Sequence, residues 1–381
     1  MSERMPNRIQ LPTVVHVVAR LPPHVDGVGD YAIELALRAR KDHGINSRFV
    51  VHDRDAGMAD EIEGFPVARA PSSDPGDLCR ALEASVGQAQ GGLVVVHYSS
   101  YGFQENGVPE WLIAGLERFL DSCKRFRLAT IFHELYATSA PWRRAFWYSG
   151  RQKELARRLL GLSWSALCTT ERNEGILRGW SGQVPLTRLG IPSAINPPAT
   201  LPGWDKRERR IVVFGRPHSR ELVYRDPDRL LGACRRLDVE EVWDIGPRMD
   251  LSVSLAGIKR VERGNLRADE IGQCLLSSRY GYLWYSNEYL AKSSIFAAYA
   301  AHGLVAVVPS CRAPSVDGLD VDEHFLSAEN MGTWCADLYR RVSRRAAQWY
   351  EGHHAGRHAA WLADRLCEAG GTVRDAMERE T

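Results

Sequence analysis

Residues 282–309 read YLWYSNEYLAKSSIFAAYAAHGLVAVVP, and this stretch sets the expected architecture of the chain. The run Tyr280–Tyr285 is short, apolar and aromatic, which is typical of a buried strand. Residues 293–302 contain no Gly or Pro, and they predict a helix that ends at Gly303 before a second apolar run. The stretch therefore predicts one strand–helix–strand unit of a parallel sheet.

The loop of this unit follows the carboxyl end of its first strand, which is where parallel sheets bind ligands. Asn287 and Glu288 open the loop, and Lys292, Ser293 and Ser294 stand where the helix begins. A helix N-terminus with a lysine and two hydroxyls suits an anion, so we predict that a diphosphate binds here. An ordinary helix cap beside a solvated lysine would give the same pattern.

Length and charge bound the class of protein. A chain of 381 residues predicts two domains, at roughly 100 to 200 residues per domain. The 49 Lys and Arg nearly balance the 47 Asp and Glu, which leaves a net charge of +2. This balance lacks the basic footprint of a nucleic-acid-binding protein, so we predict no nucleic-acid partner.

The cysteine pattern and the polar residues at the start of the sequence indicate the cellular compartment. Eight cysteines are scattered without a metal-binding spacing, which predicts reduced thiols and no metal site. The opening residues MSERMPNRIQLP do not resemble a signal peptide, and no run approaches the length of a membrane span. We predict a cytoplasmic protein, with peripheral contact at the inner face of the membrane left open. The oligomeric state is also open.

A glycine loop follows the first predicted strand, which is the β-branched run Thr13–Arg20. Gly27, Val28, Gly29 and Asp30 come directly before a helical segment. Glycines allow a backbone to approach a ligand closely, with the helix N-terminus behind it. The loop predicts a binding segment, although a plain tight turn fits the same residues.

Two successive predicted strands in this half end in histidine. The strand 92–97 finishes on His97, and the strand 128–132 is followed by His133 and Glu134. Because carboxyl ends of parallel strands meet at one sheet edge, these side chains predict a site that reaches a crevice. Two satisfied structural histidines are the alternative.

A segment rich in aromatic residues and arginine follows. Trp142, Phe146, Trp147 and Tyr148 stand beside Arg143 and further arginines. Aromatic faces stack on sugars or lie at membrane interfaces, so the segment predicts an acceptor-binding ledge. Helix packing in a core explains the same residues equally well.

A proline-rich stretch separates two halves in which strands alternate with helices. After it, the strand 210–214 precedes the loop GRPHSREL, which carries Arg216 and Arg220. This arrangement predicts an α/β protein with two doubly wound Rossmann-like domains facing across a cleft. The predicted parts are a domain at 1–188, a linker at 189–207, a domain at 208–350, and a C-terminal helix in 351–381 that returns to the first domain.

In this order the chain resembles the GT-B-fold glycosyltransferases, and it is most similar to their large retaining class, the group 1 transferases. GVGDYA at 27–32 is similar to the family's glycine loop, which lies against donor phosphates and sugar. VVFGRPHSRE at 212–221 is similar to the opening of the second domain, where Arg216 or Arg220 would meet the diphosphate. AAYAAHGLVAVV at 297–308 resembles the family's EAMACGTPVV, and His133 matches a histidine often held near the donor sugar.

One departure from the family pattern concerns two glutamates placed eight positions apart. The second position, which binds the nucleotide ribose in the family, is Ala297 here. The first falls on Tyr289, with Glu288 as its neighbour. The ribose contact is therefore missing or supplied from elsewhere, and the predicted loop lysine and serines carry more of the phosphate binding.

The resemblance implies a transferase of polysaccharide biosynthesis that moves a sugar from a nucleotide-diphosphate sugar to a glycan, lipid-linked or small-molecule acceptor. It implies retention, without a metal and without a cofactor beyond the donor. If transfer inverts instead, a general base is needed, and His133, Glu134 or Asp30 would serve. The alternatives are a non-catalytic GT-B-like binding protein and a sugar-nucleotide epimerase. A phosphorylase would need a cofactor lysine that we cannot identify, and a nicotinamide oxidoreductase would need a full GxGxxG.

Overall fold

The structure is a computed structural model, which describes residues 13–24, 26–52, 60–89, 91–138, 142–250, 255–312, 315–330, 332 and 334–370. The chain divides into two compact units. Unit 1 comprises Met1–Leu189 together with Ala355–Thr381, and unit 2 comprises Gly190–His354.

Unit 1 is built on a sheet of eight strands. They are β1 (Thr13–Val18), β2 (Ser47–Val51), β3 (Glu61–Ile62), β4 (Phe65–Arg69), β5 (Gly92–Tyr98), β6 (Phe126–Phe132), β7 (Ser165–Cys168) and β8 (Leu186–Arg188). Their order is β3-β4-β2-β1-β5-β6-β7-β8, and every pairing except β3 with β4 is parallel. All seven residues of β5 are buried, as expected for an apolar strand covered on both faces.

Helices cover this sheet. They are α1 (Gly27–His43), α2 (Pro75–Val86), α3 (Ser100–Phe103), α4 (Glu110–Ser122), α5 (Arg144–Leu162) and α6 (Glu171–Trp180). The order of strands reverses between β1 and β5, so α1 follows the strand at the switch point of the sheet. Ligands bind at this position in doubly wound folds.

Unit 2 has a second parallel sheet. Its strands are β9 (Glu208–Phe214), β10 (Glu241–Ile245), β11 (Lys259–Gly264), β12 (Ser278–Tyr282), β13 (Val305–Val308) and β16 (Leu326–Ser327), and a small antiparallel hairpin is formed by β14 (Ser315–Val316) and β15 (Leu319–Asp320). The order β11-β10-β9-β12-β13-β16 reverses between β9 and β12. The prediction of two α/β units with parallel sheets is confirmed.

The helices of unit 2 are α7 (Pro217–Tyr224), α8 (Pro227–Arg236), α9 (Ala268–Leu276), α10 (Ser294–Ala301) and α11 (Ala336–Glu351), with short 3-10 helices at Trp204–Lys206 and Asn287–Lys292. A final helix, α12 (Ala355–Gly370), belongs to unit 1 and packs against α1. The strand–helix–strand unit predicted from 280–308 is present as β12, α10 and β13. Its first strand ends at Tyr282 and not at the predicted Tyr285, and the loop after it contains the second 3-10 helix.

The stretch predicted as a linker belongs to unit 2 from Gly190 onwards. The backbone N–H of Ser193 donates to the Tyr350 hydroxyl at 3.2 Å. Arg207 is buried and donates to the carbonyls of His302 and Gly303 at 2.7 and 2.9 Å. The predicted linker is therefore held to unit 2 by these hydrogen bonds.

No helix within the described ranges is both long and apolar enough to cross a membrane.

Candidate functional site

The predicted phosphate-binding segments of unit 2 meet at the switch point of its sheet. Gly215 directly follows β9 with a φ of 134°, and α10 begins after β12. A Cβ added at Gly215 would lie 2.8 Å from Cδ1 of Ile295, which is in the first turn of α10. The loop after β9 therefore touches the N-terminus of α10.

The position of α10 is fixed by specific contacts. The Ser293 hydroxyl caps the helix by accepting from the backbone N–H of Phe296 at 3.1 Å. The Tyr299 hydroxyl donates to the Val212 carbonyl of β9 at 2.8 Å. The Tyr299 ring covers Gly281 of β12, where an added Cβ would lie 2.6 Å from it. One tyrosine thus holds the helix over the two strands of the switch point.

The helix ends as the sequence predicts. Gly303 has a φ of 68°, a conformation that glycine adopts without strain. Its N–H donates to the Ala300 carbonyl at 3.0 Å, and the N–H of Leu304 donates to the Tyr299 carbonyl at 2.9 Å. This pair of bonds is the Schellman motif.

The other residues predicted to bind the donor in this loop have different environments. Glu288 is exposed, while Lys292 and Ser294 are half-buried. Asn287 is buried, and its Oδ1 accepts from the backbone N–H of Arg312 at 3.0 Å. Asn287 therefore links the loop after β12 to the loop after β13 and stabilises their relative position.

The two candidate arginines differ sharply. Arg216 is exposed at the N-cap position of α7. Arg220 is only 2% exposed and forms a 2.5 Å ion pair with Asp244 of β10, which is 1% exposed. A second guanidinium nitrogen of Arg220 donates to the Pro247 carbonyl, and Arg260 lies 3.1 Å from the Asp244 carboxylate. This interior pairing argues against the predicted contact between Arg220 and a diphosphate.

A glycine that the sequence analysis did not use also shapes this edge. Gly246 directly follows β10 with a φ of 145°, and a Cβ there would lie 2.5 Å from the Gly215 carbonyl oxygen. Only glycine allows these two loops to approach so closely. A glycine directly after a predicted strand was the available signal.

In unit 1, the residues predicted as a glycine loop before the helix, Gly27 to Asp30, form the first turn of α1. The Asp26 carboxylate accepts from the N–H of Val28 at 3.2 Å and caps the helix. A Cβ added at Gly29 would lie 2.3 Å from the Arg20 carbonyl oxygen, whereas Gly27 has no atom within 4 Å of the corresponding point. Gly29 therefore packs closely against the backbone at Arg20, Gly27 faces open space, and Asp30 is exposed.

We expect Gly29→Ala to lower the free energy of unfolding by about 1–3 kcal/mol, because the added methyl overlaps a backbone oxygen. Gly27→Ala is the matched control and should leave stability within about 0.5 kcal/mol of the parent. Urea unfolding of both variants measures the difference. Equal stability of the two variants would contradict the close contact at Arg20.

The two strand-end histidines come together as predicted. β5 and β6 are neighbours, and the rings of His97 and His133 are stacked with centroids 5.8 Å apart. His97 is fully buried, so the expectation that it reaches an open crevice is wrong, while His133 keeps 6% of its surface exposed. Glu134 is exposed, and its Oε2 accepts from the Ser99 hydroxyl at 3.2 Å.

His97 continues into a buried polar chain. Its Nε2 lies 3.0 Å from Nδ1 of His16 in β1, and Nε2 of His16 lies 3.1 Å from the Ser47 hydroxyl. Burial lowers the pKa of His16 to about 3. Burial, followed by the neighbouring His16 and His133, lowers the pKa of His97 well below its ordinary value. These imidazoles are therefore neutral at pH 7.

Tyr31 and His358 complete this group, and neither was among the predicted site residues. The Tyr31 hydroxyl lies 2.7 Å from Nδ1 of His358 in α12. Tyr31 immediately follows the glycine loop, which was the available signal. His358 had none, since it lies 327 positions away in sequence.

The aromatic segment is at the surface of unit 1. Trp142 and Trp147 are 83% and 77% exposed, and Phe146 and Tyr148 are also exposed. Core packing, which would explain the same residues, does not apply to these side chains. Phe146 and Trp147 pack edge to face with ring centroids 5.9 Å apart, and the two highly exposed indoles are accessible to a ligand.

Among the residues that the structure describes, no group of three or more His, Cys, Asp or Glu side chains is placed to hold a metal ion.

Comparison with solved structures identifies the fold. An α-glucosyltransferase in complex with UDP and a 13-mer DNA matches 95% of this chain and 100% of its own, with a TM-score of 0.56 and 11% identity. The pneumococcal O-GlcNAc transferase GtfA in complex with UDP and GlcNAc matches 95% and 100%, with a TM-score of 0.60 and 9% identity. A glycosyltransferase from Rickettsia africae matches 95% and 99%, with a TM-score of 0.59 and 12% identity.

The chain therefore has the GT-B fold of glycosyltransferases, as its resemblance predicted. No protein-family model matches the sequence, and no curated protein matches it. At these identities the likeness establishes the fold alone.

Proposed function

We propose that this protein is a glycosyltransferase that uses a nucleotide-diphosphate sugar as donor. The observation that carries the proposal is the contact between the Gly215 loop and the first turn of α10. It brings a glycine turn next to a helix N-terminus at the switch point of unit 2, and Arg216 and Lys292 adjoin these two segments in sequence. The UDP bound in two of the similar structures supports the same assignment.

The chemistry of this edge suits a nucleoside diphosphate. A leaving diphosphate gains negative charge as the glycosidic bond breaks, so fixed donors and cations stabilise the transition state. The first N–H groups of α10 have no partner within the helix and point along its axis. Lys292 and Arg216 add positive charge, which is why we propose transfer without a metal.

In unit 1 we assign His133, Glu134 and Asp30 to the transfer step. A retaining reaction requires no obvious protein nucleophile, and we propose retention. If the reaction inverts, the exposed carboxylates of Glu134 and Asp30 are better placed than the nearly buried His133 to accept an acceptor proton.

We propose a glycan, lipid-linked or small-molecule acceptor. The exposed Trp142 and Trp147 support a sugar or lipid acceptor, because indole rings stack on sugars and lie at membrane interfaces. One similar structure contains DNA. DNA should therefore be tested as an acceptor beside glycans and lipids, although the charge balance argues against a nucleic-acid partner.

One observation favours a non-catalytic GT-B-like binding protein as the second candidate. Ala297, which occupies the position of the family's ribose-binding glutamate, is 1% exposed and belongs to a buried cluster with Ala346 and Tyr350 of α11. Alanine supplies no carboxylate at this position, and its side chain is buried.

A panel of UDP-, GDP- and dTDP-sugars separates these candidates. Slow hydrolysis of one donor, or transfer to an added acceptor, supports the transferase. Binding in calorimetry without turnover supports the binding protein, and recovery of an epimerised donor supports the epimerase. The anomeric configuration of the product, read by NMR, decides between retention and inversion.

We expect Lys292→Ala to weaken donor binding by about 1.5–3 kcal/mol, as for other lost charge-assisted contacts. Calorimetry with the donor identified by the panel measures it. Lys206→Ala is the matched control, since Lys206 is an exposed lysine of the same unit. Unchanged affinity in the Lys292 variant would remove this lysine from the site.

A further inference from the structure

The Tyr31 side chain of α1 lies among three histidines of unit 1. Its ring centroid is 5.0 Å from that of His133, 5.7 Å from that of His97 and 5.6 Å from that of His358. All three contacts are edge-to-face, with interplanar angles of 68–79°. Edge-to-face packing is a favoured and directional arrangement of aromatic rings. Tyr31 therefore packs against side chains from three places in the fold, which are β5, the end of β6 and α12.

These elements come from distant parts of the chain. His133 directly follows β6, and its backbone N–H donates to the Tyr98 carbonyl of β5 at 2.9 Å. The sheet thus fixes the backbone of His133, and the rings of Tyr31 and His97 pack against its imidazole. Tyr31 supplies one of those rings from the helix that the glycine loop opens.

The hydroxyl of Tyr31 extends the contact to the C-terminal helix. It lies 2.7 Å from Nδ1 of His358, and both side chains are buried. Because burial raises the pKa of Tyr31, the phenol keeps its proton. A buried hydrogen bond of this kind is costly to leave unmade, so it fixes the tyrosine relative to α12.

We propose that Tyr31 and His358 are positioning residues for His133, so that the C-terminal helix α12 orients the transfer site of unit 1. His358 holds the Tyr31 hydroxyl, and the Tyr31 ring then holds the His133 imidazole. This inference rests on the proposed function for its kinetic consequence. The positioning itself does not depend on that function.

The kinetic test uses His358→Phe, which keeps an aromatic ring and removes the hydrogen-bonding nitrogen. We expect kcat to fall about tenfold, since a misplaced catalytic group costs rate more than binding. The donor KM should stay within about twofold, because donor binding is assigned to unit 2. In a His133→Ala background the same substitution should lower kcat no further.

The control is Arg357→Ala, because Arg357 is the exposed neighbour of His358 on α12. It should leave kcat unchanged. An equal loss from His358→Phe in both backgrounds would mean that His358 only stabilises the fold, and it would overturn the proposal. If His358→Phe does not fold, Tyr31→Phe removes the same hydrogen bond and retains the ring.

A second measurement is independent of activity. In histidine-labelled protein, the His133 ring signals are identified by their loss in His133→Ala. Tyr31→Leu and His358→Phe should both move these signals, and Arg357→Ala should not. Unmoved signals would overturn the positioning role. Moved signals without turnover of any nucleotide sugar would leave the positioning intact and refute the proposed function.

Discussion

Replacing Arg220 with alanine is expected to destabilise unit 2 by about 3–5 kcal/mol, which makes it the most damaging single substitution considered for that unit. Arg220 and Asp244 are both almost fully buried, and they form a direct ion pair. Removing the guanidinium leaves the carboxylate in the interior with Arg260 as its remaining cation, at 12% exposure. Removing one partner of this buried ion pair lowers stability far more than breaking a surface ion pair would, because the remaining charge is left without solvent.

Urea unfolding followed by circular dichroism measures this loss. Arg225→Ala is the matched control, because Arg225 caps the same helix from an exposed position and its removal should change stability by less than about 0.5 kcal/mol. Arg216→Ala should weaken nucleotide binding without lowering stability. If the Arg220→Ala variant kept normal stability and bound nucleotide more weakly, the result would support the predicted contact between Arg220 and the diphosphate.

Arg220 also illustrates what a sequence cannot reveal. A basic residue in a glycine loop has the same local pattern whether it points to solvent or into the interior. Its partner Asp244 is 24 positions away, on a different strand. Only the folded sheet brings the two together, so the loop pattern alone favoured a phosphate contact that the interior pairing argues against.

Local features were predictable because their physics is local. Helix α10 begins at a serine cap and ends at a glycine with positive φ, and both residues stand within one short stretch. The neighbouring placement of His97 and His133 was predictable as well, because successive parallel strands often pair. Their depth was not, because burial depends on which helices cover the sheet edge.

The glycine loop of unit 1 shows the same limit at finer scale. The sequence placed Gly27 and Gly29 in one ligand-facing turn. In the structure their environments differ, because only Gly29 lies against the Arg20 carbonyl. Likewise Tyr31 meets His358 only because α12 returns to unit 1. Neither contact leaves a pattern in the order of residues.

Acidification is expected to unfold unit 1 through its buried histidines, and His16 makes the largest assignable contribution. Burial lowers the pKa of His16 from its model-peptide value of 6.5 to about 3. Between these values the unfolded chain binds a proton that the folded chain does not, so stability falls as pH drops below 6.5 and levels off near 3. At about 1.4 kcal/mol per pH unit, the loss between pH 7 and pH 4 is about 3 kcal/mol. The lowered pKa of His97 acts in the same direction.

A His16→Asn variant isolates the contribution of His16 to the pH dependence of stability. Asparagine offers a donor and an acceptor to Ser47 and His97, and it does not titrate. Its stability deficit relative to the parent protein should shrink by about 3 kcal/mol from pH 7 to pH 4, since only the parent loses the His16 contribution. His43→Gln, which removes an exposed imidazole at the end of α1, should leave the pH dependence of the parent in place. Parallel curves for the parent and the His16 variant would mean that His16 is protonated in the folded state. The chain of hydrogen bonds from Ser47 to His97 would then carry a charge at the centre of the sheet at low pH, and the lowered pKa assigned to His16 would not hold.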